Sequence, residues 1–322
     1  MFRRELITGQ KIIITDGIAG GGKDLICKLI SSLPKVDQWV LDYRLDQIAA
    51  LCNIKKMDLD TATYLIKSNF NANFYDNSML RVSNFRKSDK TGVPNHPRFK
   101  KFFKERMNPD DKKVFLKFKN KIFFHYCAHM TANFAEPFFR AFKKQLLFIQ
   151  LFRSPLNAQM LEHLASWSKI WEKSKSRDGY IKLYNKKLKK NFPHFVSDVS
   201  DTYLKANKFE KAVIILEKIY NKRKINLNIY EKKYGSKVIR IPFENLVINP
   251  KKYLYKISKI LNVKIDWTVL KVMKKNNVPR NFILSDHDEV GKEFMVSKIK
   301  NQYFKRLIKL NDYYKKFILN KY

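Results

Sequence analysis

Cysteine is almost missing from this chain. Cys27, Cys52 and Cys127 are the only three in 322 residues, which excludes a disulfide framework of the kind that staples small secreted domains. None stands in a CxxC pair or in a Cys/His cluster at zinc spacing, so no metal site is expected and the three read as reduced thiols. Long apolar runs are missing too. No stretch approaches the roughly 18 apolar residues of a membrane span, and the apolar stretch behind Arg3 and Arg4 is too short for a signal sequence. A soluble, cytoplasmic protein is the expectation. Acidic residues are few: 29 Asp and Glu against 66 Lys and Arg, a formal charge of +37. That excess admits nucleic acid, anionic glycans or phosphorylated ligands as partners. Most of the cations are lysine, however, and Asn, Ile, Phe and Tyr also crowd the chain. The pattern reads as genome-wide codon bias rather than a binding stripe, and nucleic acid is not the expected partner.

What is present is enough apolar residue, 45%, to build a sizeable core. The length allows about two domains or one elaborated α/β domain. Short β-branched runs alternate with helical spacing. Residues 11–16, 38–43, 121–127, 144–152 and 236–243 read as strands. Helices are expected over 24–33, near 44–55, in part of 58–80, over 136–142, from Ser154 (N-cap) and Pro155 to about 173, within 201–233 with Gly235 as a stop, over 251–263, and from about 293. Strands alternating with helices predict an α/β fold with a central parallel sheet, helices on both faces and extra helices. Residues 81–112 are basic, carry three prolines and show no clear period; they are expected to form a long surface loop or lid with a short helix. Residues 174–200 read as basic and irregular, and 174–235 as a helical insertion, within a single domain spanning 1–322.

Glycine supplies the first motif. Only nine glycines occur, and four fall within six residues: Gly17-Ile18-Ala19-Gly20-Gly21-Gly22, followed by Lys23 and Asp24. This satisfies GxxxxGK between a predicted strand and a predicted helix. Glycines let backbone N–H groups turn inward around phosphate oxygens, the helix N-terminus adds positive potential, and Lys23 adds a cation. A metal-dependent ATPase or kinase of this class wants Ser or Thr after the lysine and an Asp ending a later strand. Here Asp24 follows Lys23, and neither 121–127 nor 144–152 ends in Asp, which favours a phosphate loop used without a metal.

Three segments in order then resemble the sulfotransferase family. The first is the strand, glycine loop and helix at 12–33, in the place of the family's 5′-phosphosulfate loop. The second is KKQLLFIQLFRSPLNAQMLEHLASW (143–167), similar to the strand ending in Arg-x-Pro that opens a helix and holds a 3′-phosphate. The third is KVIRIPFENLVINPKKYLYKISKILNV (237–263), similar to the strand, acidic turn, proline and helix of the family's C-terminal half. A fourth segment places Gly291 and Lys292 where the family has a Gly/Lys-rich nucleotide loop. Two positions differ from the family pattern: Asp24 in the loop, and Leu161, where a Ser usually stands eight residues after the Arg.

The resemblance implies a P-loop-like three-layer fold and transfer of a sulfuryl group from 3′-phosphoadenosine 5′-phosphosulfate to a hydroxyl or amine acceptor, a small molecule or saccharide, without a metal. It implies donor binding by Gly17, Gly20, Gly21, Gly22, Lys23, Asp24, Arg153, Gly291 and Lys292. Sulfuryl transfer needs fixed cations and N–H donors around the moving group, a role for Lys23, and a general base. His125, ending its predicted strand, His129 just after it, and Asp42, ending another, are the candidates. Glu244 is expected to hold its turn or cap the next helix, and Trp167 and Trp171 to pack in the core or under a lid. Two other readings remain: a nucleotide-dependent kinase, from the glycine loop, and a non-catalytic basic protein that binds nucleotides or glycans, from the charge.

Overall fold

The computed structural model describes residues 3–175 and 179–322, with backbone alone for 221–226. The chain starts with strand β1 (Ile12–Gly17) and helix α1 (Lys23–Ser31), then α2 (Tyr43–Asn53), α3 (Leu59–Ser78), α4 (Phe99–Arg106) and α5 (Asp111–Lys121). Next come β2 (Phe124–Cys127), α6 (Glu136–Phe142), β3 (Leu146–Phe152) and α7 (Ala158–Trp171). A hairpin of β4 (Lys182–Asn185) and β5 (Lys190–Pro193) follows, then α8 (Ser200–Lys205) and α9 (Lys208–Tyr234). The chain closes with β6 (Lys237–Pro242), α10 (Phe243–Ile248), α11 (Pro250–Leu261), α12 (Trp267–Lys275), α13 (Leu284–Val296) and α14 (Asn301–Tyr314).

The four strands β2-β1-β3-β6 form one parallel sheet, with Ile12 opposite Phe124 and Leu146, and Leu147 opposite Lys237. Both faces are covered, so the strands read as near-continuous apolar runs. Ile12, Ile14, Phe124, Phe148 and Phe70 pack on one face with α2, α3 and α6. Ile13, Leu147, Ile149, Ile241 and Ile26 pack on the other with α1, α10, α11 and α12. A third cluster joins α7, α9 and α14 through Leu164, Ile215 and Leu307. The α/β class with a central parallel sheet flanked by helices is the one expected.

Several local expectations are corrected. Residues 38–43 form no regular strand: Val36 and Val40 make isolated parallel bridges to Phe123 and Tyr126. Trp39 turns in between them, and Asp42 ends the run as the N-cap of α2, its carboxylate accepting from the Arg44 N–H. Ser154 and Pro155 do not open α7. Ser154 is spent on a buried network described below, and Asn157 caps the helix by accepting from the Met160 N–H. The segment 174–200, read as irregular, contains the β4–β5 hairpin, with 176–178 outside the described residues. Residues 81–112 hold a 3-10 turn and α4. Arg98 on Asp266 and Arg106 on Asp37 pin them to the body of the fold.

Candidate functional site

In a parallel sheet the loops after the strands gather at one edge, and ligands bind where chain connections diverge to opposite sides. That divergence falls here between β1, which connects towards β2, and its neighbour β3, which connects towards β6. The glycine loop leaves β1 and Arg153 leaves β3, so both motifs open onto the same crevice.

The loop has the backbone of an anion cradle. Gly20 (φ +76°) and Gly22 (φ +94°) lie in the left-handed region that favours glycine. At Gly22 a side chain is also barred by contact, since a Cβ would sit 2.3 Å from the Phe243 ring. Gly22 is the N-cap of α1, and no side chain caps this helix, which leaves its leading N–H groups available to an anion. Gly17 ends β1 and Gly21 closes a turn on the Ile18 carbonyl at 3.0 Å. Lys23 Nζ donates to the Ala128 carbonyl at 2.8 Å. Asp24, the residue that departs from the usual loop, is ion-paired to Lys90, with Lys28 at 4.0 Å.

Arg153 reaches the loop directly: Nη1 donates to the Gly20 carbonyl at 2.8 Å, and the guanidinium lies 4.5 Å from the Phe243 ring centroid. Its Nε is buried without a partner among the described residues, and burial lowers its pKa. A buried lattice holds the turn that carries it. The Glu244 carboxylate accepts from the Ser154 N–H at 2.9 Å and from the Tyr314 hydroxyl. Ser154 Oγ donates to Asp288, whose other oxygen accepts from Asn311 Nδ2. Glu244 therefore fixes a turn, that of the neighbouring strand.

The third wall follows β2. Asp16, fully buried at the end of β1, accepts from the Thr131 and Ala132 N–H groups at 2.9 and 3.1 Å. That clamp, with Met130 at φ +58°, turns the loop so that His129 lies next to the carbonyl held by Lys23. His129 Nδ1 is 3.0 Å from Asp46 of α2. Tyr126 donates to the other Asp46 oxygen. Burial pushes the Asp46 carboxyl well above the usual carboxylate range and His129 well below the usual imidazole range. Nε2 of His129 makes no hydrogen bond among the described residues. On α7, His163 stands over the loop, within contact of any Cβ placed on Gly20, and its Nε2 accepts from Trp167.

The structure thus brings Gly17, Gly20, Gly21, Gly22, Lys23, Arg153 and His129 together. It does not bring His125, which lies in the core beneath α1. Side chains alternate along a strand, and His125 falls on the face opposite Phe124 and Tyr126. It is fully buried, its ring nitrogens are 2.9 Å from Thr15 Oγ1 and 3.1 Å from Ser31 Oγ, and burial lowers its pKa to about 3. Asp42 is bound by Arg44 and Asn73 and serves as a cap. Gly291 and Lys292 are in no loop: both lie inside α13, Gly291 so close to the β3–α7 turn that a Cβ would fall 1.7 Å from the Leu156 carbonyl oxygen. Lys292 pairs with Glu289 at the surface. Sequence reasoning missed Asp46 and His163. Asp46 had no signal, since its partner is 83 residues away, whereas His163 stood one helical turn from Met160 and Trp167.

No protein-family profile matches the chain, and no curated protein matches it by sequence. Solved structures do align with it. A sulfotransferase domain of the Synechococcus PCC 7002 olefin synthase aligns over 97% of this chain and 98% of that one, at 11% identity and TM-score 0.46. A sulfotransferase from Mycobacterium tuberculosis aligns over 90% of this chain and 78% of that one, at 8% identity and TM-score 0.41. The sulfotransferase domain of the curacin biosynthetic pathway aligns over 94% and 97%, at 11% identity and TM-score 0.40.

Proposed function

We propose that the chain transfers a sulfuryl group from 3′-phosphoadenosine 5′-phosphosulfate to a hydroxyl or amine acceptor. The observation that carries this reading is the contact of Arg153 with the Gly20 carbonyl. It sets a cation from one strand end against an anion cradle from the next, two positive subsites matched to two separate anionic groups. The unpartnered Arg153 Nε is the kind of buried donor that an anionic ligand satisfies. In this reading the N–H groups of Gly20, Gly22 and Lys23 and the Lys23 ammonium hold the 5′-phosphosulfate, while the Gly21 N–H closes the turn on Ile18, and Arg153 holds the 3′-phosphate. The donor supplies an electrophilic sulfur with a phosphate leaving group.

His129 is the general base. With Asp46 ionised, Nδ1–H is donated to it and the Nε2 lone pair accepts the acceptor's proton as the new S–O or S–N bond forms and the bond to the phosphate oxygen breaks. Lys23 stabilises charge on the moving group.

Titration with 3′-phosphoadenosine 5′-phosphate, and with ATP with and without Mg²⁺, tests this. Metal-independent binding of the bisphosphate is expected. Arg153→Ala is expected to weaken it by about 1.5–3 kcal/mol, the scale of a charge-assisted hydrogen bond. Adenosine 5′-phosphosulfate, which lacks the 3′-phosphate, loses much less. Equal losses for the two ligands would remove Arg153 from that subsite, and binding only of ATP with Mg²⁺ would replace this reading with the kinase one.

A further inference from the structure

Cys27 and Cys127 lie far apart in the chain and meet in the fold. With Trp39 they form a buried cluster of their own, apart from the three larger cores. Both are free thiols, 0% and 3% exposed. The register of α1 on β2 explains the meeting. Ser31 of α1 stands 3.1 Å from the His125 ring. One helical turn back, from Ser31 to Cys27, spans about 6 Å. Two residues forward, from His125 to Cys127, span about 6.6 Å and return to the same face of the strand. Cys27 therefore falls on Cys127 as Ser31 falls on His125, and the two thiols are hydrogen-bonded to each other.

A buried cysteine on its own is a small apolar filler, but a hydrogen-bonded pair has chemistry. The bond from Cys27 holds the Cys127 thiol below the usual range, and the Lys23 ammonium acts in the same sense; burial pushes Cys27 up. Cys127 is thus the thiolate that reacts first and Cys27 the thiol that resolves it. Trp39 also lines a hollow of about 420 Å³ between α1, α12 and residues 87–97, so one side chain separates the pair from a space that a small oxidant enters. The pair is tied to the crevice at both ends. Cys27 stands one turn after Lys23 on α1, and Cys127 immediately precedes Ala128, whose carbonyl receives the Lys23 ammonium. Cys52 has no such place: it lies on α2, against the core on the other face of the sheet.

We infer that Cys27 and Cys127 are a redox pair that a hydroperoxide closes into a disulfide, displacing the glycine loop from its working geometry. The Cys127 thiolate attacks a peroxide oxygen, the O–O bond breaks and hydroxide leaves, giving a sulfenic acid. The Cys27 sulfur then attacks the Cys127 sulfur, the S–O bond breaks, and the Cys27 proton leaves with the hydroxyl as water. Two thiols and one hydrogen peroxide give one disulfide and two waters. Closing the bond draws α1 towards the end of β2 and shifts Lys23 against Ala128. The effect on donor binding rests on the transfer reading proposed above; the cross-link does not.

The test treats the full chain with hydrogen peroxide, denatures it, alkylates the remaining thiols and maps the tryptic peptides. The expected product is residues 24–28 joined to 122–140 within one molecule, released by dithiothreitol. Binding of 3′-phosphoadenosine 5′-phosphate is expected to weaken about tenfold on oxidation and to recover on reduction. Cys27→Ala and Cys127→Ala are each expected to form no link and to bind the bisphosphate equally before and after peroxide. Cys52→Ala is expected to behave as wild type. The proposal is overturned if the link involves Cys52 or joins two molecules, if both thiols stay free under peroxide, if the link forms and leaves bisphosphate binding unaltered, or if Cys27→Ala and Cys127→Ala lose binding on oxidation as wild type does. If reduced wild type fails to bind the bisphosphate while the same link forms, the transfer reading fails and the thiol pair stands.

Discussion

His125 and His129 stand four residues apart, and burial divides their roles. His125 is fully buried and bridges Thr15 to Ser31 of α1, tying strand to helix. His129 has one ring nitrogen on Asp46 and the other without a hydrogen bond among the described residues. His129→Ala is expected to lower kcat roughly 10²–10⁴-fold, the worth of a general base, with donor affinity nearly intact. His125→Ala is expected to do the reverse: it strands two buried hydroxyls and costs about 1–3 kcal/mol of stability. Turnover and thermal melting of both variants check this; a catalytic loss confined to His125→Ala would reverse the assignment. Asp46 adds a pH dependence. Only its ionised form accepts the Nδ1–H and leaves Nε2 basic; when protonated it donates to Nδ1 and puts the proton on Nε2. Since burial raises its pKa well above the ordinary carboxylate value, the acid limb of kcat is expected to follow Asp46. Asp46→Asn is expected to lower kcat and abolish that limb. A limb unchanged in Asp46→Asn would assign it to another group.

At the scale of elements, α13 is held by a residue without a side chain. Gly291 lets the helix lie against the Leu156 carbonyl, beside the turn that carries Arg153 and Ser154. Gly291→Ala is expected to push α13 off that turn, costing about 1–3 kcal/mol of stability, as overpacking does, and weakening the bisphosphate through Arg153. Lys292→Ala, at an exposed pair, is expected to change neither. A nucleotide loop at this point would give the opposite ranking, and melting and titration of the two variants distinguish the outcomes. The same element shows what the sequence discloses. Runs with a strong local cause were legible: the β-branched strand at 12–17, the glycine cluster, the apolar 146–152 strand, and the stop at Gly235, whose φ is +67°. Gly291-Lys292 was misplaced because a glycine kept for close packing looks like a glycine kept for a loop. Ser154 was misread as a helix cap because its real partners, Asp288 and Asn311, are more than 130 residues away. His129 and Asp46 met only once α2 was laid against the end of β2.

The whole molecule carries a latent acid sensitivity. Burial lowers His96 to about 4, His125 to about 3 and His194 to about 4, from an ordinary value of 6.5. Each is neutral in the folded state, so its contribution is present above about pH 6.5 and lost as pH falls towards the folded value. At pH 5 each unprotonated site costs about 2 kcal/mol relative to neutral pH, and three cost about 6. That is a large share of the 5–15 kcal/mol typical of a folded chain. Asp46 and Glu244, with raised pKa values, act in the opposite sense and offset part of the loss. Circular dichroism across pH is expected to show a marked loss of stability between pH 6.5 and 5, reduced in His96→Gln or His194→Gln; a melting temperature flat over that interval would rule it out.

The irregular stretch at 35–40 also governs assembly. It satisfies the outer rim of β2 through Phe123 N–H to Lys35, Asp37 N–H to Phe123, Val40 N–H to His125 and Cys127 N–H to Val40. A sheet whose border is already hydrogen-bonded offers no template for another chain. Growth of the central sheet by strand addition is closed on that side, and a chain that adds to this sheet by backbone pairing approaches at its other border, the β6 margin.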